Sequence, residues 1–347
     1  MECNEESKTM MGKQDFKDKY IAKQRDLTSK SICPPFPRIV KIDICNVCNY
    51  NCIFCPQAKH HNKVGCIDSE LCYRIIREAF EAGARELCLS STGEPLLNPE
   101  LENYIVFAKT LGYTYVFFNT NGYLLDEARS AKLLKAGVDS IKVSVNSASK
   151  SYELVHGVDA FDRVVENIKK FYELRGQNEN HCALYVSYVA VRQTLQEVDI
   201  VRDILSPYVD EVVVMNANTR GGDVCEEESG LYIGEDEYSY QYPCSQLFNN
   251  VYVTAEGYMV ICCQDFENLT VVADLKQENV REAWTNEKFT DFRIRYLRHE
   301  LVGTLCQNCI YNTVEPVVPL SPEKAYYDIS YKKQQNMYDR IKQLKER

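Results

Sequence analysis

From Arg38 onward the apolar and polar positions alternate. Val40, Ile42 and Ile44 face one way, and Ile39, Lys41 and Asp43 the other, a period of two that predicts a strand. The period then lengthens. Over Ser69 to Ala82 the apolar residues Leu71, Ile75, Ile76, Ala79 and Phe80 recur at helical spacing, and Gly83 stops the helix. Strand-like and helix-like stretches go on taking turns. Strand Glu86 to Ser90 precedes a helix from about Pro99 to Leu111, stopped by Gly112. Strand Tyr113 to Phe118 precedes a helix ending at Gly137, and strand Ser140 to Val145 a long helix from about Lys150 to Leu174. Strand Ala183 to Val191 then pairs with helix Leu195 to Leu205, and Glu211 to Met215 is a last strand. That is about six βα repeats over residues 38–216. A closed barrel takes about eight, so the expected fold is α/β, a partial (β/α)6 TIM-like barrel open along one side, with its ligands at the carboxyl ends of the strands.

The flanks carry other patterns. Residues 1–37 form a polar N-terminal extension closed by Cys33-Pro34-Pro35-Phe36-Pro37. Residues 217–243 read as an acidic linker, with Gly221-Gly222, Glu226-Glu227-Glu228 and Glu235-Asp236-Glu237. A second module, residues 244–315, contains a hairpin pattern, Val251 to Val253 and Tyr258 to Ile261, turned at Glu256-Gly257. The tail, 316–347, starts a helix at Ser321-Pro322 and puts Met337, Ile341 and Leu344 on one face.

Charge narrows the partners. A net charge of −10 and a pI near 5.2 do not suit a surface that tracks phosphates, so nucleic acid is not expected as substrate. No apolar run is long enough to cross a bilayer, and the start, Met1-Glu2-Cys3-Asn4, lacks the features of a secretory signal. A cytoplasmic setting is expected, where 16 cysteines point to metal rather than disulfides and to a cell that meets little oxygen.

The cysteines are grouped. Cys48, Cys52 and Cys55, spaced C-x3-C-x2-C, follow the first strand, and thiolates so placed can hold three irons of a cubic cluster and leave the fourth open. A zinc site of Cys45, Cys48, Cys52 and Cys55 competes with this reading, but it explains neither the βα repeats nor Thr92-Gly93-Glu94-Pro95 at the end of the second strand. At these residues the chain resembles the radical S-adenosylmethionine (SAM) enzymes, over residues 38 to about 216. The resemblance implies a [4Fe-4S] cluster whose open iron binds SAM, reductive cleavage of SAM to a 5′-deoxyadenosyl radical, and hydrogen abstraction from a substrate. It further implies that Phe54 lies against the adenine and that Gly93 and Glu94 hold the ammonium of SAM. Thr92 departs from the first Gly of the family's Gly-Gly-Glu. Ser144 and Asn146 match the region that contacts the ribose, although relatives often carry an acid where Asn146 stands, and both residues also suit a turn and cap before Lys150. Thr120-Asn121-Gly122 reads as a strand-ending turn.

The second module resembles the family's auxiliary-cluster domains, called SPASM in the long form and twitch in the short. Cys244, Cys262 and the pair Cys306-x2-Cys309 carry the likeness, together with the segment from Ala273-Asp274-Leu275 through Trp284 to Arg293. Four cysteines ligate one auxiliary [4Fe-4S] cluster, and no cysteine follows Cys309 to build a second. Zinc on the same four is the competing reading. Cys263 reads as a packed thiol or as a hydrogen donor to a substrate radical. Cys45, Cys66, Cys72, Cys88 and Cys225 read as packed thiols, and the 5 His show no ligand spacing.

The expected activity is oxidation or epimerisation of a small polar metabolite of sugar or aminocyclitol type, as in the short-form dehydrogenases and epimerases. Peptide or protein side-chain maturation is the alternative, and the stretch before the first strand is too short for the winged-helix domain that often recognises peptides. A flavodoxin or ferredoxin type of protein is expected as external low-potential electron donor.

Overall fold

The computed structural model describes residues 31–58, 65–176, 181–217, 220–223, 244–311 and 315–325. The Glu-rich linker segments, Cys225 and the apolar face of the tail lie outside them.

Six strands make the barrel sheet: β1 (Ile39–Ile42), β2 (Glu86–Cys88), β3 (Tyr115–Thr120), β4 (Ser140–Ser144), β5 (Ala183–Ala190) and β6 (Glu211–Asn216). Each is parallel to the next. Between them run α1 (Ser69–Ala82), α2 (Leu101–Leu111), α3 (Glu127–Ala136), α4 (Ser149–His156), α5 (Phe161–Gly176) and α6 (Val198–Leu205). This is the expected βα order. The helices start and stop on local chemistry: Asp68 and Asp126 cap α1 and α3 by accepting the Leu71 and Arg129 amides. Gly112 and Gly137 end α2 and α3 in the left-handed region.

Alternation along the strands sorts the sheet into two faces. Val40, Ile42, Leu87, Val116, Phe118, Ile141, Val143, Leu184 and Val186 enter the main apolar core. Lys41, Cys88, Phe117, Asn119, Lys142, Ser144, Tyr185 and Ser187 hold the intervening positions, on the opposite face.

The second module continues the same sheet. The hairpin forms as β7 (Asn250–Val253) and β8 (Tyr258–Val260), an unforeseen β9 (Val271–Asp274) comes next, and the strand order is β6-β5-β4-β3-β2-β1-β7-β8-β9. β7 is parallel to β1, while β8 and β9 are antiparallel. Short α7 (Ser245–Asn249), α8 (Val280–Thr285), α9 (Glu287–Leu297) and α10 (Leu305–Tyr311) complete it. Arg281 donates to the Ala82 carbonyl at 3.2 Å and the Val280 amide to Glu78 at 3.1 Å, which seats α8 on the end of α1.

One expected helix is divided. The pattern from Lys150 to Leu174 is broken at Gly157, whose φ of 70° and amide bond to Glu153 O close α4. The break frees carbonyls at the helix end, and the cysteine loop takes two of them: the Asn51 amide donates to His156 O at 3.1 Å and the Ile53 amide to Val155 O at 3.0 Å. At the tail Pro322–Lys324 is a single 3-10 turn, and the rest of the expected helix lies outside the described residues.

Candidate functional site

The loop after β1 is held from several sides. Asn46 binds the Gly65 amide through its side chain at 3.0 Å, Gln57 donates to the Asn46 carbonyl at 2.6 Å, and the Glu94 amide reaches Val47 O at 2.8 Å. Cys45 turns away from the other cysteines to face Cys66, with the sulfurs 3.7 Å apart in a buried pocket beside Val47.

The residues after β2 explain their own identities. A Cβ on Gly93 would stand 2.1 Å from Cys45 O and 2.6 Å from Val47 O, so only glycine lets this turn lie against the cysteine loop. Thr92 gives Asp43 two donors, its hydroxyl and its amide, and so ties this turn to the end of β1. Glu94 is buried. Its carboxylate accepts from Thr120 Oγ1 at 2.6 Å, the Asn121 amide at 2.7 Å and the Leu96 amide at 3.0 Å. Burial outweighs these donors and lifts its pKa from 4.5 to about 7.

Beside it lie the three thiols of the motif. Burial, then the nearby Glu94 charge, pushes Cys48 up to about 12, while burial and the neighbours Cys55 and Cys48 push Cys52 up. Thiols raised in this way stay protonated until a cationic centre takes them as thiolates, which is the chemistry an iron–sulfur cluster supplies. Among the described residues no three of His, Cys, Asp and Glu close tightly enough to hold a single metal ion. Cluster thiolates each take a different iron and need no such closure. The donor set fits the cluster.

Two partners of these sulfurs were not legible as site residues. His156 Nδ1 lies 3.3 Å from Cys52 Sγ, and Asn121 Nδ2 lies 3.8 Å from Cys48 Sγ and 2.7 Å from Asn49 Oδ1. His156 is buried, stacked on Tyr152 at 4.2 Å between centroids, with Tyr50 and Phe54 edge-on. The only signal for Asn121 was its place at a strand end, and for His156 there was none, because a helix end gains meaning only when the loop folds onto it.

Phe54 packs with Val155, Val189, Val191 and Ala217, near the ends of β5 and β6. Ser144 pairs with Ser187 across β4 and β5, with hydroxyls 3.4 Å apart. Asn146 is buried and clamps backbone: its Oδ1 accepts the Val189 amide at 2.7 Å, and its own amide donates to His156 Nε2 at 3.2 Å.

In the second module Cys306 and Cys309 sit three apart on α10, one face of one turn. Cys244, at the start of α7, donates its amide to Tyr296 OH at 3.0 Å. Burial raises Cys244, Cys306 and Cys309, the last to about 11, with Cys244 also acting on Cys306 and Cys309. Of the adjacent pair, Cys262 is raised through its bond to Cys263 and by burial. Cys263 falls to about 5, through that bond and the cations Lys41 and Arg220. Gly221 and Gly222 turn the chain against α10, where a Cβ would meet Leu305 at 2.7 Å and Asn308 at 2.7 Å.

The profile of the Radical SAM superfamily matches residues 42–204, and that of the SPASM iron-sulfur cluster-binding domain matches residues 244–310. The chain is a radical SAM protein with a SPASM domain. The two domains imply a SAM-bound [4Fe-4S] cluster and an auxiliary iron–sulfur cluster, and the zinc readings fall away. A probable GTP 3′,8-cyclase of Saccharolobus islandicus is 35% identical over 131 residues, which are 38% of this radical SAM protein and 42% of that relative. The match therefore spans under half of the relative's length. Among solved structures, BtrN in complex with AdoMet and 2-DOIA has a TM-score of 0.55 at 19% identity, covering 78% of this chain and 92% of that one. Streptococcus suis SuiB bound to precursor peptide SuiA has a TM-score of 0.61 at 16% identity, covering 84% and 72%. These likenesses establish the fold. No helix among the described residues is long and apolar enough to cross a membrane.

Proposed function

We propose that Cys48, Cys52 and Cys55 hold the SAM-binding cluster, that Glu94 receives the ammonium of SAM, and that the enzyme abstracts a hydrogen from a small polar metabolite to oxidise or epimerise it. One observation carries this reading: at the carboxyl ends of the parallel strands Cys48 and Cys52 are raised by burial and by their motif neighbours, Cys48 also by Glu94, whose buried carboxylate has its oxygens fixed by Thr120, Asn121 and Leu96. The bound cluster and SAM supply reductive cleavage of the sulfonium to a 5′-deoxyadenosyl radical. The chain's own work is positional. Glu94, ionised by the approaching ammonium, orients SAM, Phe54 offers an apolar surface to the adenine, and Ser144 and the Asn146 amide group lie toward the ribose.

Cys244, Cys262, Cys306 and Cys309 hold the auxiliary cluster in this proposal. An auxiliary cluster held there would supply a sink for the second electron of an oxidation; in an epimerisation Cys263 would return a hydrogen atom as the thiol, the form favoured once Cys262 ligates iron and no longer donates the bond that lowers Cys263. A flavodoxin or ferredoxin type of donor supplies the first electron. The metabolite class is supported by the cysteine count of the second module, enough for one auxiliary cluster. Peptide maturation is the second reading, favoured by the likeness to SuiB, which was solved with its precursor peptide.

Anaerobic reconstitution tests the proposal. About eight irons per chain, with 5′-deoxyadenosine formed from SAM under reduction, are expected. Cys52→Ala should abolish cleavage; about four irons, unchanged by Cys306→Ala, would refute the auxiliary site.

A further inference from the structure

Cys45 and Cys66 face each other across an isolated antiparallel bridge. The Asn46 amide donates to Gly65 O at 2.9 Å and the Ile67 amide to Ile44 O at 3.1 Å, so the backbone bonds flank the pair and none joins it. This is the non-hydrogen-bonded position of an antiparallel ladder, where opposed Cα atoms stand about 4.5 Å apart and side chains approach most closely. The separation falls within the span that a disulfide bridges, about 4.4–6.8 Å. Both residues are free thiols, and their sulfurs meet at 3.7 Å.

The pair encloses a particular stretch of chain. Residues 46–65, between the two cysteines, carry Cys48, Cys52 and Cys55. A bond from Cys45 to Cys66 therefore makes a ring that contains all three motif thiols and uses none of them. The paired sulfurs have surroundings of their own: Val47 O is 3.8 Å from Cys45 Sγ and Leu97 O is 4.0 Å from Cys66 Sγ, and Val47 and Leu97 pack beside them. The close approach of Gly93 to Cys45 O sets this ring against the turn that carries Glu94. The two thiols differ in access. Cys45 is buried and Cys66 half-buried, so an oxidant meets Cys66 first. The bond with Cys66, then burial, holds the Cys45 thiol well above its ordinary range, which makes the pair slow to react under reducing conditions.

We propose that Cys45 and Cys66 form a reversible disulfide that staples the ends of the cysteine loop when a peroxide strips the loop of its iron. The Cys66 thiol and hydrogen peroxide give a sulfenic acid and water. The Cys45 sulfur then displaces hydroxide from that acid, and its own proton completes a second water. Each sulfur is oxidised by one electron, and a small dithiol reverses the step by exchange, becoming a disulfide itself. With its ends joined, the emptied loop has less freedom to lose when iron and sulfide return. The linkage stands apart from the radical SAM reading; its protective effect rests on the reading that Cys48, Cys52 and Cys55 hold the SAM-side cluster.

The test treats the reconstituted full-length protein with hydrogen peroxide until iron release ends, blocks free thiols with N-ethylmaleimide, and maps an unreduced digest by mass spectrometry. Peptides joined through Cys45 and Cys66 are expected as the main linkage, lost on treatment with dithiothreitol. In a parallel sample left unblocked, reduction followed by iron and sulfide should restore the SAM-side cluster, read by the change that SAM makes in its electron paramagnetic resonance signal. Cys66→Ser and, separately, Cys45→Ala should load as the parent does before peroxide and recover less than about half as much afterwards. The two variants alter opposite sides of the bridge, so misfolding of one leaves the other as the test. A map without the Cys45–Cys66 linkage, or with Cys45 spread among Cys48, Cys52 and Cys55, overturns the site. Linkage with equal recovery in parent and variants overturns the staple. Linkage in a parent that never shows the SAM-side signal removes the cluster reading and leaves the redox pair standing.

Discussion

His156 Nδ1 stands 3.3 Å from Cys52 Sγ while its other nitrogen, Nε2, accepts the Asn146 amide at 3.2 Å. A backbone amide can only donate, so Nε2 is the bare nitrogen and Nδ1 carries the proton toward the sulfur. Burial lowers the pKa to about 3, which keeps the ring neutral and the donor in place at any ordinary pH.

A donor to a ligating thiolate draws charge from it, and such bonds tune both cluster potential and metal retention. His156→Phe keeps a stacked ring and removes the bond. The midpoint potential of the SAM-side cluster, followed by electron paramagnetic resonance during a redox titration, should move negative, and chelator resistance should fall by about tenfold. A potential equal to that of the parent would mean that His156 acts through packing alone.

Gly93→Ala addresses the approach of the second turn to the cysteine loop. The added methyl would stand 2.1 Å from one backbone oxygen and 2.6 Å from another, so the loop must shift. The fold, resting on the nine-stranded sheet, should survive in circular dichroism. Iron loading should drop to about four per chain, the auxiliary share, from about eight. Full loading would show that the loop yields more readily than its hydrogen bonds suggest.

The helices and barrel strands could be read in advance because each leaves a local mark. One face of the sheet is covered, which writes alternation into Val40 to Ile44, and Gly83, Gly112 and Gly137 end helices where φ turns positive. Three features left no such mark. Val271–Asp274 is buried on both faces, so β9 has no alternation to detect. The pairing of β7 with β1 joins residues about two hundred positions apart. The division of the helix after Lys150 and the place of His156 both depend on the cysteine loop docking at the end of α4. The three motif cysteines and Glu94 could be put forward from the sequence because ligand spacing and strand-end position are local; Asn121 and His156 reach the thiols through hydrogen bonds, which sequence spacing does not encode.

Glu94 makes the SAM-free protein sensitive to pH. Its pKa is about 7 in the folded chain against 4.5 ordinarily. Between those values the folded state holds a proton that the unfolded state has released, so stability declines as pH rises through that window, by about 3 kcal/mol in all. Glu94→Gln should therefore raise the melting temperature of the SAM-free protein at pH about 8 and change it little near pH 4.5. SAM should reverse the order: its ammonium stabilises the ionised carboxylate, so wild-type affinity should weaken as pH falls below about 7, and the variant should show no such trend. Thermal shifts with and without SAM measure both. Equal shifts for the two proteins at every pH would separate Glu94 from the ammonium.

Arg293 is fully buried in the second module, and its guanidinium is shared among distant parts of the chain. Nη1 donates to Trp284 O at 2.9 Å and Ile32 O at 3.3 Å, Nε to Leu247 O at 3.5 Å, and the group lies 4.1 Å from the Trp284 ring and 3.7 Å from the Phe289 ring. Trp284 in turn donates to Pro34 O at 3.0 Å, so the segment before β1 is fastened to α8 and α9 through Arg293 and Trp284 together. Burial lowers its pKa to about 9, still well above neutrality, so the charge persists and the carbonyls offset it. Arg293→Met keeps the apolar stem and leaves three carbonyls without their donor, which should cost about 3 kcal/mol in urea denaturation of the reduced apoprotein. Lysine should not restore the loss, because a point charge cannot serve three directions and lie flat between two rings as a planar fork does. Tyr296, which holds the Cys244 amide, lies one turn further along α9, so the same variant should also retain less iron at the auxiliary site. A variant that is as stable as the parent, yet loses that iron, would mean that Arg293 orders the cysteines without fastening the domain.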